Sequence, residues 1–369
     1  MELSFIYKRI VKPVLFHFDP EFVHDRFMFL GSILGRFGIT KYIIKNFFYY
    51  KNKSLTQSYW GINFENPIGL SAGFDKDGKV YGIMDSVGFG FAEVGTVTYM
   101  PYEGNPKPRL KRLIKSKSLL VNYGLKNEGC YKVIERLKKT KKTIPQIISI
   151  GRTNSKGTSS LEDGILDYFS CLKEFIDNGV GDIYEINISC PNTYGGEPFT
   201  NPEDLNLLLS KLYTLKINKP IFIKMPLNLA WEEFVKLVDV ALKFKIEALV
   251  ISNLNKDRKN TKLLDEVKND VKGNLSGKPT EYLSNELISK TYVYCGDRIK
   301  IVGVGGVFSP EDAYEKIKRG ASLVELITGM IYEGPNLIGD INMKIVNMLK
   351  KDGLENISQA VGLYHIKIK

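Results

Sequence analysis

From Leu55 onward the chain alternates between two hydrophobic patterns. Short runs rich in Ile, Val, Phe and Ala, bounded by Gly, Pro, Asn or Asp, read as buried strands. They predict strands at 68–72, 92–97, 146–150, 183–189, 221–225, 248–252, 300–303 and 322–327. Between most of them, apolar residues three and four apart predict amphipathic helices, for example 161–176, 231–244 and 310–318. Strands and helices alternating over about 270 residues point to an α/β fold, a closed (β/α)8 barrel, with a doubly wound open sheet as the alternative. Gly303-Val304-Gly305-Gly306 does not favour the open sheet, because it lies late in the chain rather than on a first strand-to-helix turn. Residues 255–279 are too long and polar for an ordinary connection, and read as an insertion at the active end of the barrel.

Residues 1–50 have a different texture. Phe5, Ile6, Ile10, Val11, Val14, Leu15, Phe16 and Phe18 precede Asp19-Pro20, an N-cap followed by a first helical residue. Further apolar runs reach Tyr50, each broken by charged residues. None attains the roughly 20 uninterrupted residues of a spanning helix, and no secretory signal with a small-residue cleavage site is present. The expectation is a pair of short amphipathic helices, aromatic on one side and basic on the other. They would form a small N-terminal extension, 1–50, to a barrel domain, 51–369. Such helices either pack on the barrel or lie in a membrane interface, where aromatic rings and snorkelling Lys and Arg both gain.

Composition changes this picture mainly by exclusion. The chain carries 52 Lys and Arg against 41 Asp and Glu, a net charge of +11. No long single-sign block or nucleic-acid motif accompanies that charge, so no nucleic acid is expected as partner; anionic lipid or an anionic substrate remains. Cys130, Cys171, Cys190 and Cys295 lack metal-ligand spacing, and only three His are present. A reducing compartment and no metal site follow.

Candidate chemistry gathers where the strands end, as it must in a barrel. After the fourth strand the apolar pattern stops and Asn187, Ser189, Cys190 and Asn192 appear together, with Pro191 ending the ladder. Carboxamides flanking a thiol suit a planar polar ligand, because each offers a donor and an acceptor; a lone thiol there is otherwise a buried structural Cys. Lys76 follows the first strand, Thr96 lies in the second, Lys224 closes the fifth and Ser252-Asn253 the sixth. Lys224 inside an apolar strand needs an anion or an acceptor. A barrel carboxylate would serve, and Lys76 has flanking Asp75 and Asp77 as local partners. Gly303-Val304-Gly305-Gly306 and Thr328-Gly329, after strands seven and eight, form either tight turns or a backbone-amide cradle for phosphate.

These motifs, in this order, resemble the dihydroorotate dehydrogenase family over roughly residues 13–350. Asn187-Ile188-Ser189-Cys190-Pro191-Asn192 is similar to the active-site loop of that family. Ala72-Gly73-Phe74-Asp75-Lys76-Asp77-Gly78, Glu93-Val94-Gly95-Thr96-Val97-Thr98, Gly104-Asn105-Pro106-Lys107-Pro108-Arg109-Leu110 and Leu275-Ser276-Gly277-Lys278-Pro279 carry the rest. The resemblance implies oxidation of dihydroorotate to orotate in pyrimidine biosynthesis, with FMN as cofactor and Cys190 as the base. It implies substrate contacts from Lys76, Asn122, Gly124, Leu125, Asn187, Asn192 and Asn253. For FMN it implies Ala72, Gly73, Lys76, Thr96, Ser149, Asn187, Lys224, Ser252, Gly277, Gly305, Gly306, Ile327, Thr328 and Gly329. The run Leu15-Phe16-His17-Phe18-Asp19-Pro20-Glu21-Phe22-Val23-His24 looks like the N-terminal hood of the membrane-associated, quinone-using class. That class places a His and an Arg along its quinone tunnel, here His24 and Arg112, and sits at the periphery of a membrane, on the cytoplasmic face.

Four departures mark the chain. Cys190 stands where the quinone class has Ser and the soluble classes have Cys. Ser149 replaces an Asn at the end of the third strand, Ile327-Thr328 replaces a Tyr-Ser pair, and Asn122-Tyr123-Gly124 is one residue shorter than Asn-x-x-Gly. A soluble acceptor such as fumarate or NAD is therefore the alternative to quinone. Beyond the family stand a non-redox barrel enzyme with Lys224 as Schiff-base amine, and a membrane-surface binding protein without catalysis.

Overall fold

The computed structural model describes residues 2–194, 196–268 and 270–366. Eight parallel strands close into a barrel in chain order: Ile68–Leu70, Phe91–Val97, Gln146–Ile150, Ile183–Asn187, Ile221–Lys224, Ala248–Ile251, Lys300–Val304 and Leu323–Leu326. The eighth pairs back onto the first, with Val324 opposite Ile68 and Leu326 opposite Leu70. Both faces of these strands are covered, which is why they read as near-continuous apolar runs. Helices Leu161–Asp177 and Pro310–Lys318 start at Ser160 and Ser309, whose hydroxyls each accept an amide three residues on. Every expected strand is present. Several end earlier than the pattern predicted: the first stops at Leu70, the fourth at Asn187, the fifth at Lys224 and the sixth at Ile251. Just beyond them, Ser71, Ala72 and Ser252 line the cavities at the barrel mouth.

A hairpin of Gln57–Tyr59 and Ile62–Phe64, not expected from the sequence, closes the opposite end. Its turn puts Trp60 and Gly61 at φ 53° and 76°, the left-handed pair such a tight hairpin requires. Trp60 packs edge-on against Phe222 at 5.0 Å and Phe64 against Phe91 at 5.6 Å. Over the mouth lies a second addition, an antiparallel sheet of Leu110–Leu113, Ser118–Val121 and Asn274–Leu275. The last of these strands belongs to the polar 255–279 segment, which is thus partly a roof over the mouth.

The N-terminal segment forms three helices rather than the expected pair. The first runs over residues 2–16, with Tyr7–Val11 in π-helical form; the others are Pro20–Leu34 and Gly38–Phe48. Asp19 caps the second as expected, accepting the Phe22 amide at 2.8 Å, with Pro20 at its first position. Within that helix only Glu21 and Met28 are buried. Glu21 pairs with Arg109 (3.4 Å) and Lys126 (3.3 Å) of the loops at the barrel mouth. No single helix among the described residues is long and apolar enough to cross a membrane.

Candidate active site

At the C-terminal mouth of the barrel a cavity of about 170 Å3 is lined by Lys76, Asn187, Cys190, Asn192, Asn253 and Lys224. Gly124 and Leu125 close one side of it, Ala72, Gly73 and Thr96 another. The carboxamides are held by neighbours. Asn187 donates to Thr96 Oγ1 at 2.8 Å, and Asn253 donates to the Ser189 carbonyl at 2.9 Å. Asn192 donates to the Val121 carbonyl at 3.1 Å and accepts from Asn274 at 2.7 Å. The first chain of contacts lies inside the barrel, whereas the last ties the fourth-strand loop to the roof. Cys190 is half-buried and free. Burial pushes its thiol up to about 12, with the Asn192 backbone amide pulling the other way.

Lys76 is not held by its flanking acids. Asp75 accepts the amides of Lys79 (2.7 Å) and Val80 (2.9 Å), and Asp77 pairs with Lys79 at 3.4 Å. The Lys76 ammonium instead lies 4.2 Å from the Tyr123 ring and 3.3 Å from His24 Nε2. Burial lowers it to about 8, while Asp77 works against that fall. Lys224 is buried in the barrel and meets Glu93 at 3.3 Å, Glu185 at 3.5 Å and Ser71 Oγ at 3.3 Å. Burial opposes its charge, but Glu185, Glu93 and Glu325 outweigh it and the ammonium is held above its ordinary value. The barrel-carboxylate partner open to Lys224 from sequence is therefore real, and Lys224 faces the cavity as well.

A second cavity of about 100 Å3 adjoins the first and shares Ala72, Lys224, Asn253, Ile327 and Thr328 with it. Ser252, Gly277, Gly305, Gly306 and Gly329 line its far end. Gly305 and Gly306 have φ of 113° and 76°, and a Cβ on either would strike Thr280 or Glu281. The conformation that opens the backbone there is available to glycine alone.

Three expected site residues stand away from both cavities. Asn122 is buried beneath the roof, where it accepts from Asn105 at 3.1 Å, so the shortened loop presents Tyr123 to the cavity in its place. Ser149 lies one layer down, donating to Glu185 at 2.6 Å and meeting Thr96 Oγ1 at 2.9 Å. Arg112 donates to the Phe18 carbonyl at 2.7 Å and covers the Phe16 ring, which pins the first helix to the roof. His24, by contrast, lines the cavity and also a groove of about 1660 Å3 between the N-terminal helices and the barrel. Burial, then Lys76, Lys126 and Lys79, hold His24 well below its ordinary value, so it is neutral.

Sequence reasoning missed Tyr123 and Asn105. Asn105 donates to the Asn192 carbonyl at 3.0 Å and so braces the thiol loop. It lies in the Gly104–Leu110 motif, and its carboxamide was the available signal.

The model of the family described as dihydroorotate dehydrogenase matches residues 54–349, most of the chain. The chain belongs to the dihydroorotate dehydrogenase family. A dihydroorotate dehydrogenase (quinone) of Crocosphaera subtropica is 38% identical over 333 residues, 88% of this chain and 87% of that protein. One from Christiangramia forsetii is 38% identical over 349 residues, 92% of this chain and 99% of its own. Among solved structures, the ligand-free dihydroorotate dehydrogenase of Eimeria tenella superposes with a TM-score of 0.83 at 28% identity, covering 94% of this chain and 99% of that one.

Dihydroorotate dehydrogenases are flavin-dependent, and the residues present fit such a group. The Ser252 hydroxyl is buried without a hydrogen-bond partner and lines the second cavity. Lys224 stands where the two cavities meet, and the positive-φ glycines leave backbone at the far end. The site thus combines one thiol among three carboxamides with a glycine-lined extension.

Proposed function

We propose that the chain oxidises dihydroorotate to orotate with FMN as cofactor and passes the electrons to a membrane quinone. The observation that carries this is one cavity combining the Cys190 thiol with Asn187, Asn192, Asn253 and Lys76, next to Lys224. When bound, FMN supplies a hydride acceptor and an outlet for two electrons. Asn187, Asn192 and Asn253 orient the substrate ring through its amide groups, and Lys76 meets its carboxylate. Cys190 takes the proton from C5 as the hydride leaves C6, which gives the double bond of orotate. With FMN bound, Lys224 would favour negative charge on its ring, and Gly305, Gly306, Thr328 and Gly329 would hold its phosphate. The roof strands hold the thiol loop through Asn192, which donates to Val121 and accepts from Asn274. Neutral His24 lies at the passage between the groove and the cavity, the route we assign to quinone.

The same reading assigns residues 1–50 to membrane attachment and acceptor access, at the periphery of the membrane on its cytoplasmic face, and residues 51–369 to catalysis. Support comes from the exposed aromatic residues of the three helices and from the quinone-dependent relatives. Cys190 favours a second reading, in which a soluble acceptor replaces quinone. The test is turnover of dihydroorotate by the purified, yellow protein with quinone, fumarate and NAD in turn. Quinone turnover well above the other two is expected. Turnover with fumarate or NAD alone selects the second reading, and a colourless protein that takes up no FMN overturns both.

A further inference from the structure

One layer below the site, the inward positions of four barrel strands carry ionisable groups. They are Glu93 of the second strand, Glu185 of the fourth, Lys224 of the fifth and Glu325 of the eighth, each 4% exposed or less. TIM-barrel interiors are ordinarily filled by branched apolar side chains, as the layer beneath is here with Phe91, Ile183, Phe222 and Leu323. A single ammonium cannot balance three carboxylates in such a place, and carboxylates this close cannot all ionise. Glu93 Oε1, Glu185 Oε2 and both oxygens of Glu325 have no hydrogen-bond partner. A proton held between carboxyl groups is what would satisfy them. Burial, with Glu93 as neighbour, raises Glu185 to about 8, and the same causes hold Glu325 well above its ordinary range.

The cluster reaches both cavities. Glu325 lines the second cavity with Lys224. Toward the first, two hydroxyls make a path: Thr96, which lines that cavity, meets Ser149 at 2.9 Å, and Ser149 donates to Glu185 at 2.6 Å. Asn187 donates to Thr96, so the Thr96 hydroxyl is turned to donate onward to Ser149. The hydroxyls thus run in one direction, from Thr96 at the cavity wall through Ser149 to Glu185. An Asn at position 149 would interrupt this run, because a carboxamide does not relay a proton as a hydroxyl does.

We propose that Glu185 and Glu325, packed around Glu93 and Lys224, form a proton-holding cluster that takes up a proton from solvent when the flavin is reduced and returns it on reoxidation. The proposal rests on the flavin reading above. The C6 hydride carries two electrons and one proton to the cofactor, and the C5 proton goes to Cys190. The net negative charge delivered beside Lys224 is compensated by one proton entering the cluster. The charged groups facing one another are those four alone among the described residues, one from each strand, with Ser149 and Ser71 as their neutral neighbours.

The test uses the full-length holoenzyme. The midpoint potential of its bound flavin is titrated from pH 6 to 9 in wild type, Glu185→Gln and Glu325→Gln, which keep side-chain shape and lose the proton site. Wild-type reduction is expected to take up about one more proton per flavin than either variant. An equal count in wild type and in both variants overturns the cluster, and two variants guard against one that fails to fold. A colourless wild-type protein removes the flavin reading and the cluster with it, whereas an equal count in a yellow protein removes the cluster alone.

Discussion

Phe64, Phe91 and Phe222 are fully buried in the barrel, whereas Phe5, Phe18, Phe29, Phe37 and Phe47 of the N-terminal segment are each more than half exposed. The two regions also attach differently. The barrel is held by its apolar interior; the N-terminal helices reach it through a few apolar anchors, Phe16, Met28 and Ile44, and through polar contacts. Tyr7 donates to the Ile331 carbonyl at 2.7 Å and Lys12 to that of Tyr332 at 3.1 Å, while Lys8 pairs with Glu333 at 2.5 Å. Glu21 holds Arg109 and Lys126. That anchoring leaves Phe5, Phe18, Phe29, Phe37 and Phe47 exposed, and clustered exposed apolar side chains are a mark of an interaction site. The contrast supports the proposed division, with chemistry in the barrel and access through the helices.

The largest effect should fall on the barrel alone. Cys190→Ala should slow flavin reduction by dihydroorotate by roughly 10²–10⁴-fold, the contribution of a positioned base. Reoxidation of chemically reduced enzyme by quinone should keep its rate. Stopped-flow absorbance separates the two half-reactions, and an equal loss in both would erase the division. The converse change is Phe18→Ser, Phe29→Ser and Phe37→Ser combined. Flotation with anionic vesicles should show binding weaker by about 10²-fold or more, since each buried Phe contributes about 1.5–3 kcal/mol. Flavin reduction should be untouched.

Smaller effects probe the seam between the regions. Glu21→Gln leaves Arg109 and Lys126 facing a neutral group and should cost about 1–3 kcal/mol in thermal unfolding. Hydrogen exchange should place the loosening in residues 20–34 rather than in the barrel strands. His24 gives the smallest effect. Its folded-state value is depressed, so its stabilisation is present above its ordinary value near ~6.5 and is lost as pH falls. Acidification from pH 7.5 to 5 should therefore destabilise wild type more than His24→Gln. Equal losses would show that His24 is not buried neutral beside Lys76.

The barrel was legible because its strands are buried on both faces, and an apolar run then survives any detail of neighbouring contacts. Strand ends were less so: Ala72, Met225 and Ser252 continue the apolar or small-residue pattern past the last regular strand residue, and Ala72 and Ser252 line the mouth. The basal hairpin was missed since Trp60-Gly61 lacks the usual Asn-Gly signal, and the third N-terminal helix because Phe5–Phe18 read as a lead-in to Asp19. At the site, Cys190, Asn187 and Asn253 stood out as polar residues interrupting apolar strands. Asn105 did not, because its role depends on a roof strand pairing over the fourth-strand loop. Glu185 and Glu325 precede the site positions Asn187 and Ile327 by two residues, and the period of a strand could have placed each pair on one face. Glu93 was harder to place, because the register of its strand shifts between Val94 and Val97, on the way to Thr96.

The central claim is that the Cys190 thiolate removes the substrate proton inside the barrel. Its most direct measurement is the rate of flavin bleaching by dihydroorotate, recorded anaerobically by stopped flow on the full-length protein from pH 6 to 10. With burial pushing the thiol up to about 12, the thiolate fraction grows about tenfold per pH unit across that range. The rate should rise with it and reach no plateau. A rate that is flat or falling from pH 6 to 10 would contradict Cys190 as the base.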